Sequence, residues 1–188
     1  MSRAGRAAAG RSVALPDGPI FFDTNVIVYA YDAADAVRRE QALVAVREVM
    51  RRGRLVISAQ VMQEFYSVVV RQRFLQPADA IAALRLLADH TVVPANADSA
   101  LRALALQQRY QLSVWDALIV QSALDVRCVL LFSEDLQDGQ RFESPAAGGP
   151  AVTVVNPFAM PAELPAAHEP ATLYRVAAKP RRAVRAST

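Results

Sequence analysis

Residues 20–31 read IFFDTNVIVYAY, and the change of rhythm at Asp23 decides the fold. Ile20–Asp23 is an apolar run of strand length, and Thr24–Tyr31 then reads as a helical turn. The alternation repeats outward along the chain. Ala36–Arg52 places Leu43, Val46 and Met50 at helical spacing and stops at Gly53. Leu55–Ser58 predicts a second strand, Gln60–Arg73 and Ala78–Asp89 two helices, and Thr91–Val93 a short third strand. Asp98–Tyr110 and Trp115–Val126 predict two more helices. Val129–Phe132 and Val152–Val155 predict the last strands, joined by a Gly/Pro-containing loop from Ser144 to Pro150. Strands interleaved with helical patterns of about 10–15 residues mean βαβ units. The expected fold is α/β: a three-layer α/β/α sandwich over 18–159 with a mainly parallel sheet of about five strands. In such sheets a site forms beyond the carboxyl ends of the strands, where strand order reverses.

Composition narrows the class. The chain has 188 residues, 53% of them hydrophobic, enough for one domain with a substantial core. A single cysteine, Cys128, excludes a disulfide scaffold. No apolar run approaches the roughly 18 residues of a membrane helix, so a soluble, cytoplasmic protein is expected, without a membrane partner. The net charge of +3 conceals a division. The arm 1–17 begins with Arg3, Arg6 and Arg11, and the Pro/Ala-rich tail 160–188 carries Arg175, Lys179, Arg181, Arg182 and Arg185 against two acids. The segment between them is acidic. Both termini are expected to lie outside the packed domain, the tail disordered. Basic termini can attract nucleic acid without specificity or simply aid solubility.

Scarcity removes mechanisms. Lys179 is the single lysine, and His90 and His168 are the two histidines. Walker-A phosphate binding, core Schiff-base chemistry, a two-histidine ribonuclease and a zinc cluster all lack their residues. No G-x-S-x-G elbow is present. Any chemistry must run on carboxylates.

The acids stand in informative places. Asp23 ends the strand IFFD, Glu64 lies in VMQEFYSVVV, and Asp116 lies in SVWDALIV. Glu134, Asp135 and Asp138 follow the strand VLLFS. Each has a purely structural reading: Asp23 as a helix cap, Ser113 and Asp116 as a capping box, Glu64 as a solvated helix residue, Asp135 or Asp138 in a turn. Taken together they point to one rim of the sheet. Two carboxylates about 4 Å apart repel by about 4 kcal/mol at an effective dielectric of 20. Such a cluster takes up protons or recruits a cation, and oxygen ligands select Mg²⁺ or Mn²⁺. The chemistry this favours is metal-assisted phosphodiester hydrolysis.

FFDTNVIVYA, ISAQVMQEFY, SVWDALIV, LLFSEDLQDG and VTVVNPF, in this order, resemble the PIN-domain ribonucleases of the VapC toxin type over Ile20–Phe158. The resemblance implies a Mg²⁺- or Mn²⁺-dependent endoribonuclease with an RNA substrate, an antitoxin protein that blocks the site, and a homodimer. By position it makes Asp23, Asp116 and Asp135 metal ligands. It adds Glu64 as the helix acid that orients or deprotonates water, so the catalytic set is Asp23, Glu64, Asp116 and Asp135. Thr24 and Asn25 match the polar pair beside the first acid, and Ser133 opens the Thr/Ser-x-Asp element. Glu134 and Asp138 remain alternatives for the fourth acid. Arg38, Arg39, Arg51, Arg52, Arg71 and Arg73 are candidates for phosphate contacts or solvated faces. Tyr29, Tyr31, Phe65 and Trp115 are candidates for base stacking, with most expected in the core. A haloacid-dehalogenase-like phosphatase would need an acid at Asn25 and a core lysine. A non-catalytic RNA- or protein-binding domain of the same fold, or a stand-alone RNA-processing nuclease, is the alternative.

Overall fold

Strand β1 (Ile20–Phe22) is wholly buried and lies between β2 (Leu55–Ser58) and β4 (Leu130–Phe132), both parallel to it. A strand covered on both faces must be apolar at every position, as IFF is. The computed structural model describes residues 15–144 and 148–159. Apart from residues 15–17, the expected arm and tail lie outside them.

Chain order gives α1 (Thr24–Tyr29) and α2 (Ala36–Arg51) between β1 and β2, then α3 (Ala59–Arg71) and α4 (Pro77–Ala88) before β3 (Thr91–Val93). Helices α5 (Ala97–Tyr110) and α6 (Val114–Asp125) lead to β4, followed by β5 (Arg141–Glu143) and β6 (Ala151–Val155). Sheet order is β3-β2-β1-β4-β6-β5. The chain moves outward from β1 to β3 and then crosses back to β4. Right-handed crossovers therefore put α1–α4 on one face and α5–α6 on the other. In agreement, α1 packs on α2 and α3, α3 on α4, and α5 on α6, with α6 against β2 and β6.

The sheet has six strands among the described residues, one more than expected. Arg141–Glu143 pairs antiparallel with β6 at the sheet edge, Phe142 inward and its neighbours exposed. Three residues with one apolar side chain carry too little periodicity to be told from a loop. Its pairing partner supplies the strand.

Caps match the sequence signals. Asp35, Ser58, Asn96 and Ser113 each accept a backbone N–H of the following first turn, and Pro77 opens α4. Cys128 is buried, and burial pushes its thiol up to about 12, which removes it as a nucleophile. Gly18, just before β1, has φ +134°, and a Cβ there would lie 2.7 Å from Val129 Cγ1. Gly18→Ala is expected to cost about 2–3 kcal/mol, from strain plus overpacking. Chemical denaturation of the two chains measures it.

Candidate metal centre

The site follows from the reversal of strand order. Strands β1 and β4 are neighbours whose chains then diverge, so residues leaving their carboxyl ends face a shared crevice. Asp23 leaves β1 and Ser133–Asp135 leave β4, and the Asp23 N–H still donates to the Phe132 carbonyl at 2.9 Å. The opening there is a cleft of about 440 Å³. Asp23, Glu64, Asp116, Glu134 and Asp135 line it, with no basic residue among the lining side chains.

Asp23 serves two purposes. Its Oδ1 accepts the Thr24 N–H at 2.6 Å, capping α1, while Oδ2 accepts the Ser133 hydroxyl at 2.7 Å and the Asn25 amide at 3.2 Å. The same Asn25 Nδ2 donates to Asp135 Oδ2 at 2.9 Å and so bridges the two acids. Glu64 reaches this group from α3: Oε2 accepts the Thr24 hydroxyl at 2.7 Å and Oε1 the Gln60 amide at 2.9 Å. Thr24, Asn25 and Ser133 thus stitch Asp23, Glu64 and Asp135 into one network. The reading of Glu64 as a plain solvated residue does not hold.

Asp116 lines the cleft from the first turn of α6 but stands outside that network. Its N–H donates to Ser113 Oγ at 3.1 Å, and the Ser113 hydroxyl donates back to Asp116 Oδ2 at 2.7 Å. The capping reading and the cleft-facing reading are both realised. Glu134 forms an ion pair with Arg38 at 3.4 Å, and Arg38 also donates to the Tyr29 hydroxyl and lies over the Tyr29 and Phe158 rings. Of the six arginines considered, Arg38 contacts cleft-lining residues, whereas Arg51 and Arg52 pair with Glu48. Asp138 lies away from the cleft and accepts the Asn156 N–H at 2.8 Å. Asp138→Ala is expected to cost about 1 kcal/mol of stability and to leave any activity of the cleft within about twofold, which parallel melting and activity measurements would show.

Electrostatics mark Asp23 as the strained member. Burial raises its carboxyl from 3.8 to about 6; hydrogen bonds from Ser133 and Thr24 oppose the rise, and the charges of Asp135 and Glu64 add to it. Tyr29 is also raised, by burial and by Glu134.

A divalent cation suits this donor set in kind. The ligand atoms are oxygens, the charge is uncompensated at Asp23, and Asn25 Oδ1 is buried with no hydrogen-bond partner. Among the described residues no three His, Cys, Asp or Glu side chains already form a metal cage. Mg²⁺ keeps several of its waters and needs few direct protein ligands.

The cleft also contains Gln60, which the sequence reading does not name, and Tyr29, which it names for another role. Gln60 holds Glu64 from one turn away on the same helical face, a spacing of four that could have revealed it. Tyr29, a stacking candidate by sequence, presents a hydroxyl engaged by Arg38, a contact with no local sequence signal.

The model of the PIN domain family matches residues 20–140, which contain every acid that lines the cleft. No curated protein sequence matches the chain significantly. VapC20 of Mycobacterium tuberculosis, a sarcin–ricin-loop-cleaving toxin, has 24% identity and a TM-score of 0.50, the match covering 62% of this chain and 91% of that one. A toxin–antitoxin complex from Klebsiella pneumoniae matches with 20% identity and a TM-score of 0.50, covering 73% and 97%. At these identities the likeness establishes a common fold.

Proposed function

The chain belongs to the PIN-domain family, and on that premise we propose that it is a Mg²⁺- or Mn²⁺-dependent endoribonuclease, the toxin of a toxin–antitoxin pair. The observation that carries this reading is the joining of Asp23, Glu64 and Asp135 through Thr24, Asn25 and Ser133 in a cleft that Asp116 also lines. Asp23, Asp116 and Asp135 would hold the cation. When bound, it would offset phosphate charge and make water easier to deprotonate. Glu64, fixed by Thr24 and Gln60, takes a proton from the attacking water. The water oxygen forms a new P–O bond as one ester P–O bond breaks, and the leaving oxygen takes up a proton. Asn25 keeps Asp23 and Asp135 in register. Glu134 stays with Arg38, so Asp135 is the fourth acid, and Arg38 at the mouth can meet a substrate phosphate.

An antitoxin partner is part of the proposal, since the Klebsiella relative was solved as a toxin–antitoxin complex. A cleft this acidic suits a partner that inserts a basic side chain. Homodimerisation is likewise proposed. The rival, a non-catalytic binding domain, has less support because all four acid positions are filled and face the cleft.

The test incubates the full chain with mixed cellular RNA in Mg²⁺, Mn²⁺ or EDTA, beside Asp23→Asn and Asp116→Asn. Cleavage by the wild type alone, abolished by EDTA, is the expected result. Equal cleavage by all three proteins would contradict the assignment. Glu64→Gln is expected to slow cleavage by about 10²–10⁴-fold, read from single-turnover rates.

A further inference from the structure

Trp115 is the one tryptophan in the chain and is 65% exposed, although it sits in an apolar helix. Eight other rings pair, Phe22 with Phe132, Tyr29 with Phe158, Tyr31 with Phe65 and Tyr110 with Phe142, and Phe21, Tyr66 and Phe74 lie in or against the core. Trp115 has no ring partner among the described residues. It stands between two openings, because Trp115 and Gln60 line both the acidic cleft and a second groove of about 270 Å³. That groove runs past the ends of β2 and β3 toward the start of α5, with Gln63, Pro94, Asn96 and Ser122 among its walls.

We propose that Trp115 is a stacking platform for an unpaired nucleobase of the RNA, the nucleotide next to the scissile phosphate, whose base enters this second groove. The proposal rests on the nuclease reading and names where its substrate continues. Three observations support it. The groove adjoins the acid cleft, with Gln60 and Trp115 as shared walls, so a strand bound at one lies within reach of the other. No charged residue lines the groove, which fits a neutral base and leaves the phosphates outside. Its amides and hydroxyls offer donors and acceptors to a base edge, while the indole face offers the stack that single-stranded RNA recognition uses. A duplex keeps its bases stacked on each other, so the selected substrate is a loop or single strand.

The test uses oligoribonucleotides containing the mapped cleavage site, intact or with an abasic residue immediately on either side of the scissile phosphate. On one side the abasic residue is expected to lower kcat/KM of the wild type by about tenfold. That penalty should vanish in Trp115→Ala and return in Trp115→Phe. Because the chain has one indole, its fluorescence reports binding directly. Glu64→Gln in Mg²⁺ should show quenching by a short single-stranded RNA and little by its abasic form. Quenching without any cleavage by the wild type would sink the nuclease reading and keep the stacking site. Cleavage with no abasic penalty and no quenching would overturn the stacking site alone, and the loss of both signals would overturn both. An indole shielded from acrylamide before RNA is added, in a dimer that Trp115→Ala dissociates, would assign the ring to a protein interface and overturn the proposal.

Discussion

Asp23→Asn is expected to lower the rate of RNA hydrolysis by about 10³-fold or more while making the metal-free protein more stable at pH 7. The two effects share a cause. Asp23 is held in an apolar, acid-lined position where its ionised form is disfavoured, and its carboxyl is raised to about 6. The shift from 3.8 corresponds to about 3 kcal/mol at neutral pH. Asparagine keeps the oxygen that caps Thr24 and drops the charge. It also places an amide N–H against the donors Asn25 and Ser133, so a net gain of about 1–2 kcal/mol is expected. Thermal melts in EDTA together with single-turnover rates measure both. A variant that is inactive and also less stable would mean that the carboxylate is structural.

The second large effect is the pH dependence of that stability. Between about pH 4 and 6 the folded protein keeps the Asp23 proton that the unfolded chain has released. The native state then binds more protons, so unfolding free energy falls as pH rises through this window. The metal-free wild type should lose about 3 kcal/mol relative to Asp23→Asn across it, so the two curves cross within the window and the wild type is the more stable by about 1–2 kcal/mol below pH 4. Comparison with the variant cancels other groups, such as Glu48, which Arg51 and Arg52 hold below its ordinary value and which acts in the opposite sense. Urea denaturation at half-unit pH steps gives the difference directly. Parallel curves from pH 4 to 7 would show that Asp23 ionises without cost.

Much of this was legible in the sequence because the fold places its chemistry at strand ends. The apolar runs ending at Asp23 and Ser133 put acids at carboxyl ends of strands once a parallel sheet was inferred, whereas the pairing of β1 with β4 is seen in the structure alone. Helical phase relative to a distant strand is not written locally, so Glu64 could be named only as a candidate; contact with Thr24, 40 positions earlier, brings it in. For the same reason local pattern does not rank the acids after β4, and the preference for Asp135 over Glu134 and Asp138 comes from the family resemblance. Arg38 claims Glu134, Asn25 claims Asp135, and the Asn156 backbone N–H claims Asp138, all groups remote in sequence. Strand β5 was missed because its single buried residue, Phe142, gives no period. The aromatic residues divided as packing demanded: Phe65 is buried in the core, whereas the first turn of α6 leaves Trp115 exposed.

The central claim is that these carboxylates together hold one hard cation. Calorimetric titration of Mn²⁺ into the full chain tests it most directly, with Asp23→Asn, Asp116→Asn and Asp138→Ala alongside. The account predicts saturable binding by the wild type and Asp138→Ala, weakened at least about tenfold in the other two. Equal affinity in all four proteins, or no binding by the wild type, would contradict it.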